Sequence, residues 1–272
     1  MNKTKKIIAV DLGGTNLRVA LVQNNKILKY IKKATPKEKN SLIKEMEDSI
    51  SKLITKDVVG IGVGSPGPLE NGIIKNPPNI PLHNFNLKKH LEKRFKKKVV
   101  VENDAHCVAI AESRLGCRKN NFIILTLGTG IGGGIIINKQ LYLGKSCGGE
   151  LGHIVLDNGK FFETLWKDSR EMIKKSFGKE MMVKELIKMN NKESNLILDY
   201  LVKYLGQGIG SLINVFDPEI VVLNGGIKET GEYFLSKIKK ETQKYTIMPH
   251  ATPIIWTKIE HPGILGASLL IK

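Results

Sequence analysis

Cysteine is scarce: Cys107, Cys117 and Cys147 are the only three, and no two stand in a CxxC spacing. An odd, unpatterned set excludes a disulfide framework and a zinc motif, so these read as reduced thiols. Long hydrophobic runs are also missing. The most apolar stretch, Phe122 to Ile137, is interrupted by five glycines and cannot span a membrane. At the start, basic Met1 to Lys6 is followed only by Ile7 to Val10 before Asp11, too short for the apolar core of a signal peptide. Low-complexity segments and flexible linkers are absent as well. The chain reads as an ordinary soluble, cytoplasmic protein, 41% hydrophobic and 25% charged, and its 272 residues allow two domains.

Acidic residues are few against the basic ones, 26 against 43, a net charge of +17. Clustered lysines neutralise phosphates, so nucleic-acid binding is one implication. The densest run, Lys88 to Lys98, is preceded by Leu87 and carries Leu91 and Phe95 at four-residue spacing. That pattern makes an amphipathic helix with a solvated, lysine-rich outer face. A positive field also attracts anionic nucleotides. Charge alone does not decide the function.

What is present in quantity is glycine, 27 residues, much of it at the ends of apolar runs. Ile7 to Val10 reads as a strand, Asp11-Leu12-Gly13-Gly14-Thr15-Asn16 as a turn, and Leu17 to Val22 as a returning strand. Asn24-Asn25 then turns the chain into a third strand, Lys26 to Lys32. Such a turn is either an ordinary tight turn or a cradle whose backbone N–H groups hold phosphate oxygens. An acidic residue at its start, Asp11, suits a phosphate-bound Mg²⁺, directly or through water.

The device recurs. At a constant offset of 115, Leu12-Gly13 falls on Leu127-Gly128, Ala20 to Val22 on Ile135 to Ile137, and Asn24-Asn25 on Lys139-Gln140. The chain therefore reads as two related halves. Two phosphate hairpins across a cleft suit one nucleotide gripped by two domains. Other nucleotide motifs fail on context. Both Gly128 to Gly133 and Gly62 to Gly67 satisfy GxGxxG, but a dinucleotide fold needs a helix next. Ile135 to Ile137 is strand-like after the first, and Pro66 and Pro68 break the second.

Between the hairpins, Ser41 to Leu53 reads as a helix and Val58 to Val63 as a buried strand ending in the rigid loop Gly64 to Pro68, which holds Ser65. Asn76 to Pro81 is a second stiff loop. Its prolines restrict the backbone beforehand, and Asn79 is suited to bonding a polyol. Both segments also read as plain proline-punctuated connections. Lys98 to Val100 forms a short strand. Glu102-Asn103-Asp104-Ala105 then leads into a helix with a stripe of Ala105, Val108, Ala109 and Leu115. A carboxylate at that junction is fixed from both sides, although Asn103 or Asp104 equally suits a helix cap. After the second hairpin, Gly149-Glu150-Leu151-Gly152-His153 with Glu163 ten residues on forms a polar cluster of the kind that recognises hydroxyls. Alternatively, His153 bonds nearby backbone. Met181 to Met189 and Ile197 to Ile209 read as helices, Ile220 to Leu223 as a buried strand ending in Asn224-Gly225-Gly226, and Gly263 to Leu270 as a closing helix. In open α/β sheets ligands gather at such strand ends.

Taken together and in this order, Asp11 to Asn16, Gly62 to Pro68, Glu102 to Ala105, Leu127 to Gly134 and Gly149 to His153 resemble the ROK family of repressors, open reading frames and sugar kinases, from about Ile7 to the closing helix. The resemblance implies an α/β protein of two ribonuclease-H-like domains, the actin-like ATPase fold, with a cleft between them. Residues 1–115, completed by a helix at about 261–272, would form one domain and 116–260 the other. It implies an ATP-dependent hexose kinase, glucokinase-like, with Mg²⁺ and a homodimeric assembly. Asp104 would be the general base; Ser65, Asn79, Asn103, Glu150, His153 and Glu163 would bind the sugar. Asp11, Gly13, Gly14, Thr15 and Asn16 would form the first phosphate loop, Thr129 and Gly130 the second, and Gly225 and Gly226 would lie beside the adenosine.

One departure stands out. In most of the family the histidine also binds a structural zinc, with a cysteine-rich loop just after it. Here Leu156 to Phe162 is shorter and has no cysteine. Four-coordinate zinc wants thiolates and imidazoles, so no zinc is expected. Phe161, Phe162 and Trp166 are expected to brace this loop by apolar packing. Two rivals stand beside a glucokinase. One is a kinase for N-acetylmannosamine, N-acetylglucosamine or fructose, or one using polyphosphate. The other is a sugar-sensing regulator, for whose DNA-binding domain the sequence before Ile7 leaves no room. Neither membrane nor nucleic-acid partners are expected.

Overall fold

The computed structural model describes residues 5–272; the basic start, 1–4, lies outside the described residues. Contacts divide the chain into two compact units. The first takes in Met1–Arg118, Leu143–Gly148 and Ile259–Lys272, and the second Lys119–Tyr142 and Gly149–Lys258.

The first unit opens with β1 (Lys6–Leu12), β2 (Asn16–Gln23) and β3 (Lys26–Ala34), an antiparallel meander. Next come α1 (Lys39–Leu53), β4 (Val58–Ser65) and the short β5 (Leu69–Glu70), β6 (Ile73–Ile74) and β7 (Phe85–Asn86). These lead to α2 (Leu87–Phe95), β8 (Lys98–Asn103) and α3 (Asp104–Leu115). The main sheet has the order β3-β2-β1-β4-β8, with β4 parallel to both β1 and β8. β4 is buried at every position but Val59, as expected of a parallel strand covered on both faces. The edge strand β3 instead carries Lys26, Lys29, Lys32 and Lys33 outward, which discourages pairing with another edge. Gly64 and Ser65 belong to β4, and Val101 to Asn103 to β8. Both segments read above as post-strand are thus held by sheet hydrogen bonds.

The second unit repeats the plan with β9 (Phe122–Leu127), β10 (Ile131–Ile137) and β11 (Gln140–Leu141). A hairpin of β12 (Val155–Asp157) and β13 (Lys160–Phe161) follows, then α4 (Phe162–Phe177), α5 (Val183–Met189), α6 (Lys192–Phe216), β14 (Ile220–Gly225), α7 (Gly231–Thr242) and β15 (Ile254–Trp256). Its sheet runs β11-β10-β9-β14-β15, two antiparallel pairings followed by two parallel ones. This is the ribonuclease-H-type order of the first unit.

The offset of 115 holds through the first turn of each hairpin but not the second. The left-handed pair Asn24-Asn25 corresponds to Asn138-Lys139, an offset of 114. A two-residue turn of this kind needs positive φ at both positions, which Asn tolerates. Gln140 already begins β11, and β2 is one residue longer than β10. Sequence periodicity also missed α4 and α7 and shortened α6, which runs 25 residues.

The chain closes with α8 (Pro262–Leu269), which packs in the first unit against β4 and α3. A Cβ on Gly62 would lie 1.8 Å from the Ala267 carbonyl oxygen, and one on Gly266 1.7 Å from that of Cys107. Only glycine permits these backbone approaches. Among the described residues no helix is long and apolar enough to cross a membrane.

Candidate active site

In the first unit, the C-terminal ends of β1, β4 and β8 carry the polar groups. Asp11 pairs across β1 and β2 with Arg18, whose Nη1 lies 2.9 Å from Asp11 Oδ2. Burial raises the Asp11 carboxyl above its usual value, and the Arg18 guanidinium opposes that shift. The turn after β1 is tied from its carbonyl side. Gly13 N–H donates to the Asn16 carbonyl (2.9 Å), Thr35 Oγ1 to that of Gly13 (2.6 Å) and Lys37 Nζ to that of Gly14 (2.9 Å). Gly14 abuts the second proline loop so closely that a Cβ there would fall 2.6 Å from Asn79 Cβ.

At the other side of the same edge, Ser65 pairs in register with Asn103, and Gly64 lies against the backbone of Asp104. Asn103 caps α3, its Oδ1 accepting from the N–H groups of Ala105 (2.9 Å) and His106 (3.2 Å). The capping role left open above therefore falls to Asn103. Asp104 is the first helical residue, and its Oδ1 also accepts from Ala105 N–H (2.8 Å). Its carboxylate sits at the positive end of the helix dipole, where an anion is favoured.

In the second unit, Gly128-Thr129-Gly130 turns from β9 into β10, and α4 holds that turn through side chains one helical turn apart. Trp166 Nε1 donates to the Gly128 carbonyl (3.0 Å), and Arg170 Nη1 lies 3.4 Å from that of Thr129. Glu163 Oε2 accepts from Ile131 N–H (2.9 Å), and its other oxygen pairs with Lys167. A Cβ on Gly130 would collide with Glu163 Oε2 at 2.0 Å. Next to this turn, Gly225 pairs with Leu127 and adopts φ +124°, and a Cβ there would meet the Leu127 carbonyl. Glu150 and His153 bracket a single 3-10 turn, with His153 Nδ1 3.5 Å from Glu150 Oε2. That turn packs on β10, since a Cβ on Gly152 would lie 2.1 Å from the Ile131 carbonyl.

The hairpin standing where a cysteine loop was missed is braced as an apolar and hydrogen-bonded unit. Phe161 tilts against the His153 ring at 5.6 Å, Phe162 and Trp166 are buried in the core, and Tyr204 donates from its hydroxyl to Asp157 (2.6 Å). Among the described residues no three His, Cys, Asp or Glu side chains gather to hold a metal ion.

The expected residues thus fall into two groups. Asp11, Gly13, Gly14, Thr15, Asn16, Ser65, Asn79, Asn103 and Asp104 share one sheet edge in the first unit. In the second, Thr129, Gly130, Gly225, Gly226 and Glu163 surround the end of β9, with Glu150 and His153 beside β10. Sequence reasoning missed Arg18, Thr35, Lys37, Lys167 and Arg170, and it gave Trp166 only a role in bracing the loop after His153, not the bond to the Gly128 carbonyl. The apolar spacing of Phe162, Leu165, Trp166 and Ile173 was the available signal for α4.

Two sheets of identical order, each with a glycine turn at the end of its first strand, define an actin-like ATPase fold. The chain belongs to the ROK family, which it matches over residues 7–272. A glucokinase from Thermotoga maritima is 32% identical, with 98% of this chain and 97% of that protein covered. An N-acetylmannosamine kinase from Haemophilus influenzae is 27% identical, covering 98% and 95%. A ROK family glucokinase from Streptomyces griseus, solved in complex with glucose and AMPPNP, is 26% identical and superposes with a TM-score of 0.85, covering 98% and 99%.

Proposed function

We propose that this protein phosphorylates a hexose hydroxyl with ATP, Asp104 acting as the general base, and that glucose is its acceptor. That the chain is an ATP-dependent sugar kinase follows from its family and its full-length likeness to glucokinases. The observation carrying the finer assignment is the carboxylate of Asp104, held by strand on one side and helix on the other, at the edge that also bears Asp11 and Asn79.

Phosphoryl transfer asks a protein mainly for positioning and charge stabilisation. Asp104 takes the proton of the attacking hydroxyl. Asn79, Asn103, Glu150 and His153 hold the other hydroxyls, Asn103 offering its NH₂ because its Oδ1 is turned to α3. Ser65 shapes the floor beside Asn103. Glu163 joins them through the oxygen now paired with Lys167, keeping the other on Ile131 N–H. The N–H groups of Gly14, Thr15 and Asn16, and those of Thr129 and Gly130, receive phosphate oxygens, Gly13 shapes the first loop with its own N–H on the Asn16 carbonyl, and Gly225 and Gly226 leave room for the adenosine. Mg²⁺ fits this donor set, because it is commonly bound by one or two carboxylates together with substrate phosphates and water. Asp11 would hold it, directly or through water, and when bound it neutralises developing phosphate charge. By the family resemblance the protein works as a cytoplasmic homodimer.

Sugar-phosphate formation measured over glucose, N-acetylmannosamine, N-acetylglucosamine and fructose, with ATP or polyphosphate as donor, is expected to give the highest kcat/KM for glucose with ATP. A higher value for another pair reassigns the substrate, and tight DNA binding without turnover of any sugar overturns the kinase. Because aromatic packing rather than thiolates braces the loop after His153, dialysis against a zinc chelator followed by Mg²⁺ addition should leave kcat and Tm unchanged. Stoichiometric zinc by elemental analysis, lost together with activity, would contradict that.

A further inference from the structure

The β8–α3 junction holds a second titratable pair that the reaction above does not use. His106 lies two residues beyond Asp104 and is buried, its side chain 5% exposed. Its Nδ1 is 3.0 Å from Glu102 Oε1, and its Nε2 is 2.8 Å from the Gly148 carbonyl oxygen. Both neighbours are acceptors, whereas a neutral imidazole carries one N–H and one lone pair. With the proton on Glu102, the same Oε1 would have to donate to the ring while accepting Asn103 N–H at 2.8 Å, and a neutral hydroxyl oxygen accepts that bond less strongly than a carboxylate does. The arrangement is satisfied when the ring donates from both nitrogens. Its surroundings favour that charge. Beside it on α3, the Cys107 thiol is pushed well up by burial and then by the carboxylates of Glu102, Asp104 and Asp11. Those anions stabilise a neighbouring cation for the reason that they disfavour a thiolate.

Resting on the kinase reading, we infer that His106 is a positioning residue, an imidazolium that ties the base-bearing helix to the segment leading into the sugar turn. Gly148 ends the stretch Leu143–Gly148 that returns to the first unit, and Glu150 follows two residues later. The bond to Gly148 fixes where the chain enters Gly149 to His153, and the bond to Glu102 fixes the start of α3. The ring touches no reacting atom, so its contribution is to sugar binding rather than to the proton transfer.

The test has two arms. In the ligand-free wild-type protein, ¹⁵N resonances of the His106 ring at neutral pH should report both nitrogens protonated, and His106→Ala should speed amide exchange around Gly148. In steady-state kinetics, His106→Ala should raise KM for the sugar about tenfold or more, the scale of losing a charged hydrogen bond, with kcat and KM for ATP changed less than about twofold. His106→Gln, whose amide reaches the Gly148 carbonyl without the charge, should recover part of that loss. A single-N–H neutral tautomer at neutral pH, or an unchanged sugar KM in both variants, overturns the inference. If His106→Ala does not fold, the wild-type resonances and His106→Gln decide. If the wild-type protein phosphorylates no sugar, the kinase reading fails, while ring protonation and amide exchange still judge the tether.

Discussion

Asp104→Asn should lower kcat about 10²–10⁴-fold, the usual worth of a positioned general base, while the protein stays folded. The substitution separates chemistry from structure unusually well here. The helix cap belongs to Asn103, whose Oδ1 keeps the N–H groups of Ala105 and His106. The bond from Ala105 N–H to Asp104 Oδ1 can be kept by an asparagine Oδ1. What is lost is a group able to accept and hold a proton. KM for sugar and for ATP should therefore move little, and the thermal midpoint should stay within a few degrees. Steady-state kinetics and a melting curve check both halves. Near-normal turnover would remove Asp104 from the mechanism, and an unfolded variant would make the residue structural.

The second large effect is expected at Asp11. If it holds Mg²⁺ directly or through a bound water, Asp11→Asn should cost about 10–100-fold in activity or metal affinity, as other groups that support a bound metal do. Part of that loss should return on raising Mg²⁺. Stability should move the other way or not at all. Burial raises the Asp11 carboxyl, so the fold holds its anion less readily than water does. That contribution is present below the ordinary carboxylate pKa and is lost as pH rises through the raised value. At neutral pH a permanently uncharged side chain avoids the burial cost of the anion, and Arg18, with a side chain 30% exposed, reaches water. Titrating Mg²⁺ against rate in both proteins tests this. An unchanged Mg²⁺ dependence would place the ion elsewhere.

Much of this was legible in residue order because it is local. The strand–glycine–strand device needs only β-branched runs and a Gly-Gly or Gly-Thr-Gly step, and both copies appear at the ends of β1 and β9. The repeat slipped by one at Asn138 because identity of spacing says nothing of which two residues take left-handed φ. The junction at Asn103 and Asp104 was visible, but not which of them caps, since either side chain suits that position. Long-range partners were out of reach. Trp166 bonds to a carbonyl 38 residues away and His106 to one 42 residues away, and no periodicity encodes such distances. Arg18 was hidden differently. It lies inside a strand, opposite Asp11 by hairpin register, and it follows once Leu12 is paired with Leu17.

A crystal structure with glucose and a non-hydrolysable ATP analogue is the most direct test of the central claim. It should place one Asp104 carboxylate oxygen about 2.6–3.2 Å from a sugar hydroxyl, or one water away, on the side facing the terminal phosphate. A sugar bound with Asp104 beyond that reach, or with another carboxylate against the hydroxyl, would contradict the account.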